Sequence, residues 1–253
     1  MTSLPPESLP PAARIACETL KERLQEALGP ELVALWAYGA QTFPDVPTRP
    51  GDIDTHALLS HKPDIKTAAL IDEIHDRIAR DLGIEWDSWY ILRKDAMCTQ
   101  PPKHVLRENL FDDAWALHRA HWLAGQYVLL SGYEASDFVL DPSWEEIKED
   151  LWKECRHIER LLVERHDDPG HAAYAVWNGC RLVYSMETRN VVVSKRAAAR
   201  WALANMPGRW RSLIQAAGRI YDDTPGSDDV AILRTSTASF IADVQDRMTV
   251  ISQ

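Results

Sequence analysis

Long apolar runs are missing from this chain. No stretch approaches the ~18 uninterrupted apolar residues of a membrane span, so no membrane partner is expected. The opening residues, MTSLPPESLPP, have neither a basic head nor an apolar run, and a secretory signal is not expected. Cysteine is scarce: the four, Cys17, Cys98, Cys155 and Cys180, lie far apart with no CxxC spacing. They read as reduced, mostly buried thiols of a cytoplasmic protein. The nine histidines form no HExxH motif, and His118 and His121 lack a cysteine or carboxylate partner at zinc spacing, so zinc is not expected. Positive charge is also short, with 28 lysines and arginines against 38 acids and a formal net charge of −10. Duplex binders carry a basic face that displaces counterions from phosphates, so nucleic acid is not an expected partner. A cationic partner suits this balance better.

What is present is an ordinary globular composition, 45% hydrophobic and 26% charged over 253 residues, enough for one large domain or two modest ones. Residues 12–28 place Leu20, Leu24 and Leu28 on one helical stripe, which Gly29 ends. LVALWAYG (32–39) reads as a buried strand, and 41–51, with three prolines, as a loop. A second strand covers 53–60, a helix 65–82 with Ile71, Ile74 and Ile78 inward, and a third strand 84–92. After Pro101 and Pro102 the pattern is helical: roughly 103–130, a helix opening at Ser143 with Glu146 completing a capping box, then 171–187, 195–205, 208–221 and 228–249. The expected fold class is α+β. Residues 1–10 are expected to be a flexible N-terminus. A domain with a small mixed sheet would span 11–140 (boundary between 100 and 140), and an all-α helical bundle 141–253.

Asp52 and Asp54 flank Ile53 at the mouth of the second strand. Acid pairs at this spacing arise by chance about six times in a chain of this composition. Here the two-residue period of a strand turns both carboxylates to the same face. At ~6 Å they repel by roughly 3 kcal/mol at an effective dielectric of about 20, which a cation between them would relieve. Oxygen-only ligands favour magnesium, which also bridges nucleotide phosphates. On the third strand Glu85, Asp87 and Trp89 share one face, and if the second and third strands are neighbours, Glu85 or Asp87 can approach that metal. Asp87 lies nearer mid-strand, where a buried acid needs a reason to be there. Gly39 lets the backbone of the preceding turn approach phosphate oxygens closely.

The pattern Gly39-Ala40, an eleven-residue gap, then Asp52-Ile53-Asp54 resembles the signature of the polymerase-beta-type nucleotidyltransferase superfamily. Asp87 matches the later acid of that family's carboxylate triad. The second half, notably WNGCRLVY (177–184) and VSKRAAARWAL (193–203), resembles the helical domain of streptomycin/spectinomycin adenylyltransferases. Together the two likenesses span roughly residues 20–220. They imply an N-terminal nucleotidyltransferase domain and a helical domain that closes on substrate and nucleotide. The reaction implied is transfer of AMP from ATP to a hydroxyl of a small cationic acceptor of the aminoglycoside type, which would confer antibiotic resistance. Asp52 and Asp54 would hold Mg2+ and through it the ATP phosphates, with Gly39 and Ala40 at the nucleotide. Asp87 would be the base or a shared metal ligand, and Lys195, after the N-cap Ser194, would reach the triphosphate.

This chain departs from the pattern at Ala40, where serine or glycine is usual, and at Thr55, where an apolar residue is. Where an acid is expected near the start of the helix containing Arg181, this chain has His171. Asp167 and Asp168 lie just before it and are candidates to contact a cationic acceptor. Glu85, Trp115 and Trp177 complete the candidate substrate set, with Trp86 and Trp89 as further cleft aromatics. Arg181 and Asn178 are expected to hold the helical domain together by hydrogen bonds. The chain is expected to be a monomer or weak homodimer. Two other readings stay open: a non-catalytic nucleotide-binding regulator, for which Ala40 speaks, and an adenylyltransferase acting on a protein or another metabolite.

Overall fold

Alternation of apolar residues gives the first half of the chain a sheet with two buried faces. The computed structural model describes residues 2–45, 52–107, 109–165 and 168–252. Helix α1 (Pro11–Leu28) opens on a proline, which costs nothing where the helix needs no N–H donor. Strands β1 (Leu32–Tyr38) and β2 (Asp52–Leu59) follow, then α2 (Ile65–Leu82), capped by the Asp64 side chain on the Thr67 N–H. Strand β3 (Glu85–Leu92) and the short α3 (Arg93–Ala96) come next. Helix α4 (Trp115–Leu123) and strand β4 (Val128–Gly132) complete the α-helices and strands described in this unit. The sheet order is β3-β2-β1-β4. Strand β1 is antiparallel to both neighbours, and β2 and β3 are parallel, with α2 as the crossover. Leu35, Ala37, Ile53, Ala57 and Leu59 face α1 and α2. Trp36, Tyr38, Leu58 and Ile91 face the other way and pack with Trp115 and Trp122 of α4.

Two expectations are corrected here. The long helix over 103–130 is instead a loop, a nine-residue helix and a strand. Lys103 bridges Phe111, and the Val105 N–H bonds the Tyr90 carbonyl, so the segment after the two prolines runs beside β3. Gly125, at φ +80°, follows α4, and the short apolar run Val128–Leu130 pairs with β1 rather than coiling. A run that short does not distinguish strand from helix by periodicity. Nor are residues 2–10 free of contacts with the rest of the unit. The Leu4 N–H bonds the Tyr127 carbonyl at 2.7 Å, Leu4 bridges Val128 in parallel, and Leu9 is buried.

The chain divides into two compact units, Met1–Ser143 and Trp144–Gln253. The second is helical: α5 (Trp144–Glu164), α6 (Pro169–Thr188), α7 (Lys195–Asn205), α8 (Arg211–Tyr221) and α9 (Asp229–Ser252). Helix α6 is its axis, packing against each of the other four. Asn178 of α6 is fully buried, yet neither side-chain atom has a hydrogen-bond partner among the described residues. That corrects its expected bonding role. Among the described residues no helix is long and apolar enough to cross a membrane.

Gly179 lies where α6 meets α9: a Cβ there would come within 2.8 Å of Phe240 Cε1 and 3.2 Å of Ile241 Cδ1. Gly179→Val should therefore lower stability by about 1–3 kcal/mol through overpacking. Thermal unfolding of the variant would measure it, and an unchanged Tm would show that the helices part freely.

Candidate active site

The carboxylates come together because β2 and β3 are in register. Asp54 is paired with Asp87 and Asp52 with Glu85, so all four acids lie on the same face of the two strands. The hydroxyls of Thr55 and Ser88, one step along, bond at 2.7 Å across the opposite face. Thr55 thus trades the usual apolar contact for a pin between the two strands. Asp52, Asp87 and Glu85 are open to solvent and Asp54 is half-buried. The expectation of a buried Asp87 is corrected: β3 is the edge strand, and its Asp87 end is the accessible one. The protein behind Asp87 still raises its carboxyl above the ordinary value; His118 opposes that, and Asp52 and Asp112 add to it.

Beside this face the chain turns at Gly39, with φ +74°, into a single 3-10 turn, Gly39–Thr42. A Cβ on Gly39 would fall 1.7 Å from Asp54 Oδ2, so only glycine lets the turn rest on that carboxylate. Ala40 is exposed at the turn, and the Gln41 side chain donates to the Asp52 carbonyl at 3.3 Å. Asp52, Asp54 and Asp87 share this face and offer oxygen as their only ligand type, a donor chemistry that fits a hard divalent cation.

Sequence reasoning missed a second layer. Asp112, 1% exposed, accepts from the Ala114 N–H at 3.1 Å through Oδ1. Its Oδ2 bonds His118 Nδ1 at 2.8 Å and His56 Nε2 at 3.1 Å. His118 therefore has its carboxylate partner after all, six residues back, and no metal motif encodes that spacing. The available signal was β2 itself, where His56 continues the Asp52, Asp54 alternation. Burial lowers the His56 pKa to about 4, so this ring is neutral near pH 7. Burial would also lower His118, but Asp112, Asp54 and Asp87 outweigh it and raise its value. Burial would raise Asp112, yet the two imidazoles hold it low. The three donor atoms lie within 4.8 Å of one another, a spacing that suits a metal as well as hydrogen bonds. A metal on His56 Nε2 would force a proton onto Nδ1, which is buried without a partner. Hydrogen bonding leaves only a lone pair there, the cheaper arrangement.

The remaining candidates separate. Trp115 is 1% exposed and donates its Nε1 to the Cys98 carbonyl at 2.9 Å, which makes it a core residue rather than a cleft wall. In the helical unit Asp168 caps α6 through the Gly170 N–H at 2.8 Å and pairs with His171 Nδ1 at 2.8 Å. Asp167 lies outside the described residues. Trp177 is buried and stacks on Tyr221 at 4.4 Å, with the Arg196 guanidinium 5.4 Å from its ring. Lys195 is the first residue of α7, after the Ser194 cap, and its ammonium sits 4.4 Å over the Tyr174 ring. Gly39→Ala should keep the fold but displace the Asp54 carboxylate, at a cost of about 1–3 kcal/mol in stability. Thermal unfolding and a crystal structure of the variant would check this; an unmoved Asp54 would refute the close-packed turn.

Residues 147–247 match the family described as aminoglycoside adenylyltransferase, C-terminal domain. No curated protein sequence matches the chain. Among solved structures, spectinomycin adenyltransferase AAD(9) from Enterococcus faecialis, solved with ATP and spectinomycin, superposes with a TM-score of 0.75. The identity is 13%, and the match covers 93% of this chain and 98% of that one. The chain thus resembles the aminoglycoside adenylyltransferases, nucleotidyltransferase enzymes whose C-terminal domain its helical unit matches and whose α+β fold it shares.

Proposed function

We infer that this chain is a magnesium-dependent adenylyltransferase that moves AMP from ATP to a hydroxyl of a small cationic acceptor of the aminoglycoside type. The observation that carries the reading is the strand register that sets Asp54 beside Asp87 on one face, against a turn only glycine can make. AAD(9), similar in fold, was solved with ATP and spectinomycin, which supports both substrates.

In this reaction the acceptor oxygen attacks the α-phosphorus in line. A new P–O bond forms, the bond from the α-phosphorus to the bridging oxygen breaks, and pyrophosphate leaves. Asp52, Asp54 and Asp87 would hold the cation. When bound, it supplies charge neutralisation at the phosphates and a lowered acceptor pKa. Asp87 takes the hydroxyl proton, and its exposure lets an acceptor reach it. The amides of the turn at Gly39 and Ala40 would approach the phosphates, and Lys195, at the start of α7, is proposed as a nucleotide contact on the family resemblance. The acids on the sheet face, Glu85 among them, favour a polycation.

Asp87→Asn should retain MgATP binding by calorimetry, while pyrophosphate release with spectinomycin or streptomycin falls by about 100-fold or more. Growth protection of a susceptible host should fall in parallel. Undiminished release by the variant would remove Asp87 from the base role, and no release by the wild type with any such acceptor would remove the acceptor class.

A further inference from the structure

His56 and His118 share one carboxylate oxygen but differ in what they leave free. His56 is wholly enclosed, its one bonded nitrogen spent on Asp112. His118 commits Nδ1 to Asp112 at 2.8 Å and keeps 20% of its side chain exposed. Its Nε2 has no hydrogen-bond partner among the described residues and is not among their buried unpaired atoms. The ring is held on three sides: Tyr38 edge-on at 4.9 Å, Trp122 stacked at 5.8 Å and His56 at 5.2 Å. A carboxylate on Nδ1 with Nε2 turned outward is the arrangement by which proteins fix an imidazole for work at its far nitrogen.

Position gives that nitrogen its task. Tyr38, against which His118 packs, is the register partner of Asp54, and Asp54 is the partner of Asp87. The outward edge of His118 therefore lies at the end of the sheet where the acids and the glycine turn meet. The titratable groups facing it are Asp112, Asp54, Asp87 and His56, three of them acids. The Asp112 carboxylate on Nδ1 favours the protonated ring, whose remaining N–H suits an anion rather than a sugar hydroxyl.

We propose that Asp112 holds His118 as a fixed donor whose Nε2–H binds a phosphate oxygen of the nucleotide seated at Asp52, Asp54 and Asp87. This rests on the adenylyl-transfer reading above. It assigns to the first unit a phosphate contact that no nucleotidyltransferase signature in the sequence marks. Burial of Asp112 has a purpose on this view: it is the anchor that sets the ring's angle.

The test is calorimetric titration of the full chain with α,β-methylene-ATP plus magnesium, and with adenosine. His118→Ala is expected to weaken triphosphate binding at least tenfold and to leave adenosine binding unchanged. Asp112→Asn, which keeps the shape but not the charge, should fall between this variant and wild type. His118→Gln, with an amide donor near the Nε2 position, should recover part of the loss. His118→Phe, which keeps the ring packing without a donor, serves should the alanine variant fail to fold, and the same tenfold loss is expected. Wild-type affinity for the triphosphate in the folded alanine or phenylalanine variant would overturn the proposal, as would equal losses for triphosphate and adenosine. A wild-type protein that binds no nucleotide at all would instead overturn the adenylyl-transfer reading.

Discussion

Like charges crowded on one sheet face are the constraint around which the first unit is organised. Asp52, Asp54, Glu85 and Asp87 are aligned by the parallel register of β2 and β3, and Asp112 lies close behind them. Such a group does not stay together for stability's sake, since carboxylates at strand spacing repel. The rest of the unit reads as a response to it. The glycine turn rests on one carboxylate, a threonine–serine bond pins the two strands from the far side, and two imidazoles satisfy the most enclosed acid. Of the four acids on the strand pair, Asp52, Glu85 and Asp87 are open to solvent.

The two units divide the task differently. In the first, polar chemistry sits on strand ends, where a two-residue period sets side-chain direction and backbone bonding fixes distance. In the second, α6 is buried along most of its length, so few of its residues face solvent and the helices around it fix their directions. Asp168 and His171 illustrate the consequence. Both are acceptor candidates by position in the sequence, but each is the other's partner at the start of α6.

Much of this was legible in the sequence because strong local periodicity drives it. Helix α2, strand β2 and the shared face of Asp52 and Asp54 follow from spacing and stop signals alone, while the alignment of Asp87 with them needed the pairing of β2 with β3. Strand β4 was not legible, because an apolar run of three residues has no period. Its pairing with β1 is a long-range fact, decided by what lies beside it. The Asp112 layer was hidden for the same reason: one partner stands on β2, one on α4, and the carboxylate lies in the loop before α4. Exposure of Asp87 was not legible, because mid-strand position does not imply burial on an edge strand.

The pairing of Leu4 with Val128 has a wider meaning. Open sheet margins are templates onto which foreign strands can zip, a common start of aggregation. Here the chain hems both margins with its own backbone: the first residues along β4, and Val105 against Tyr90 along β3. Without the Leu4 pairing, the β4 selvedge would lie open to a foreign strand.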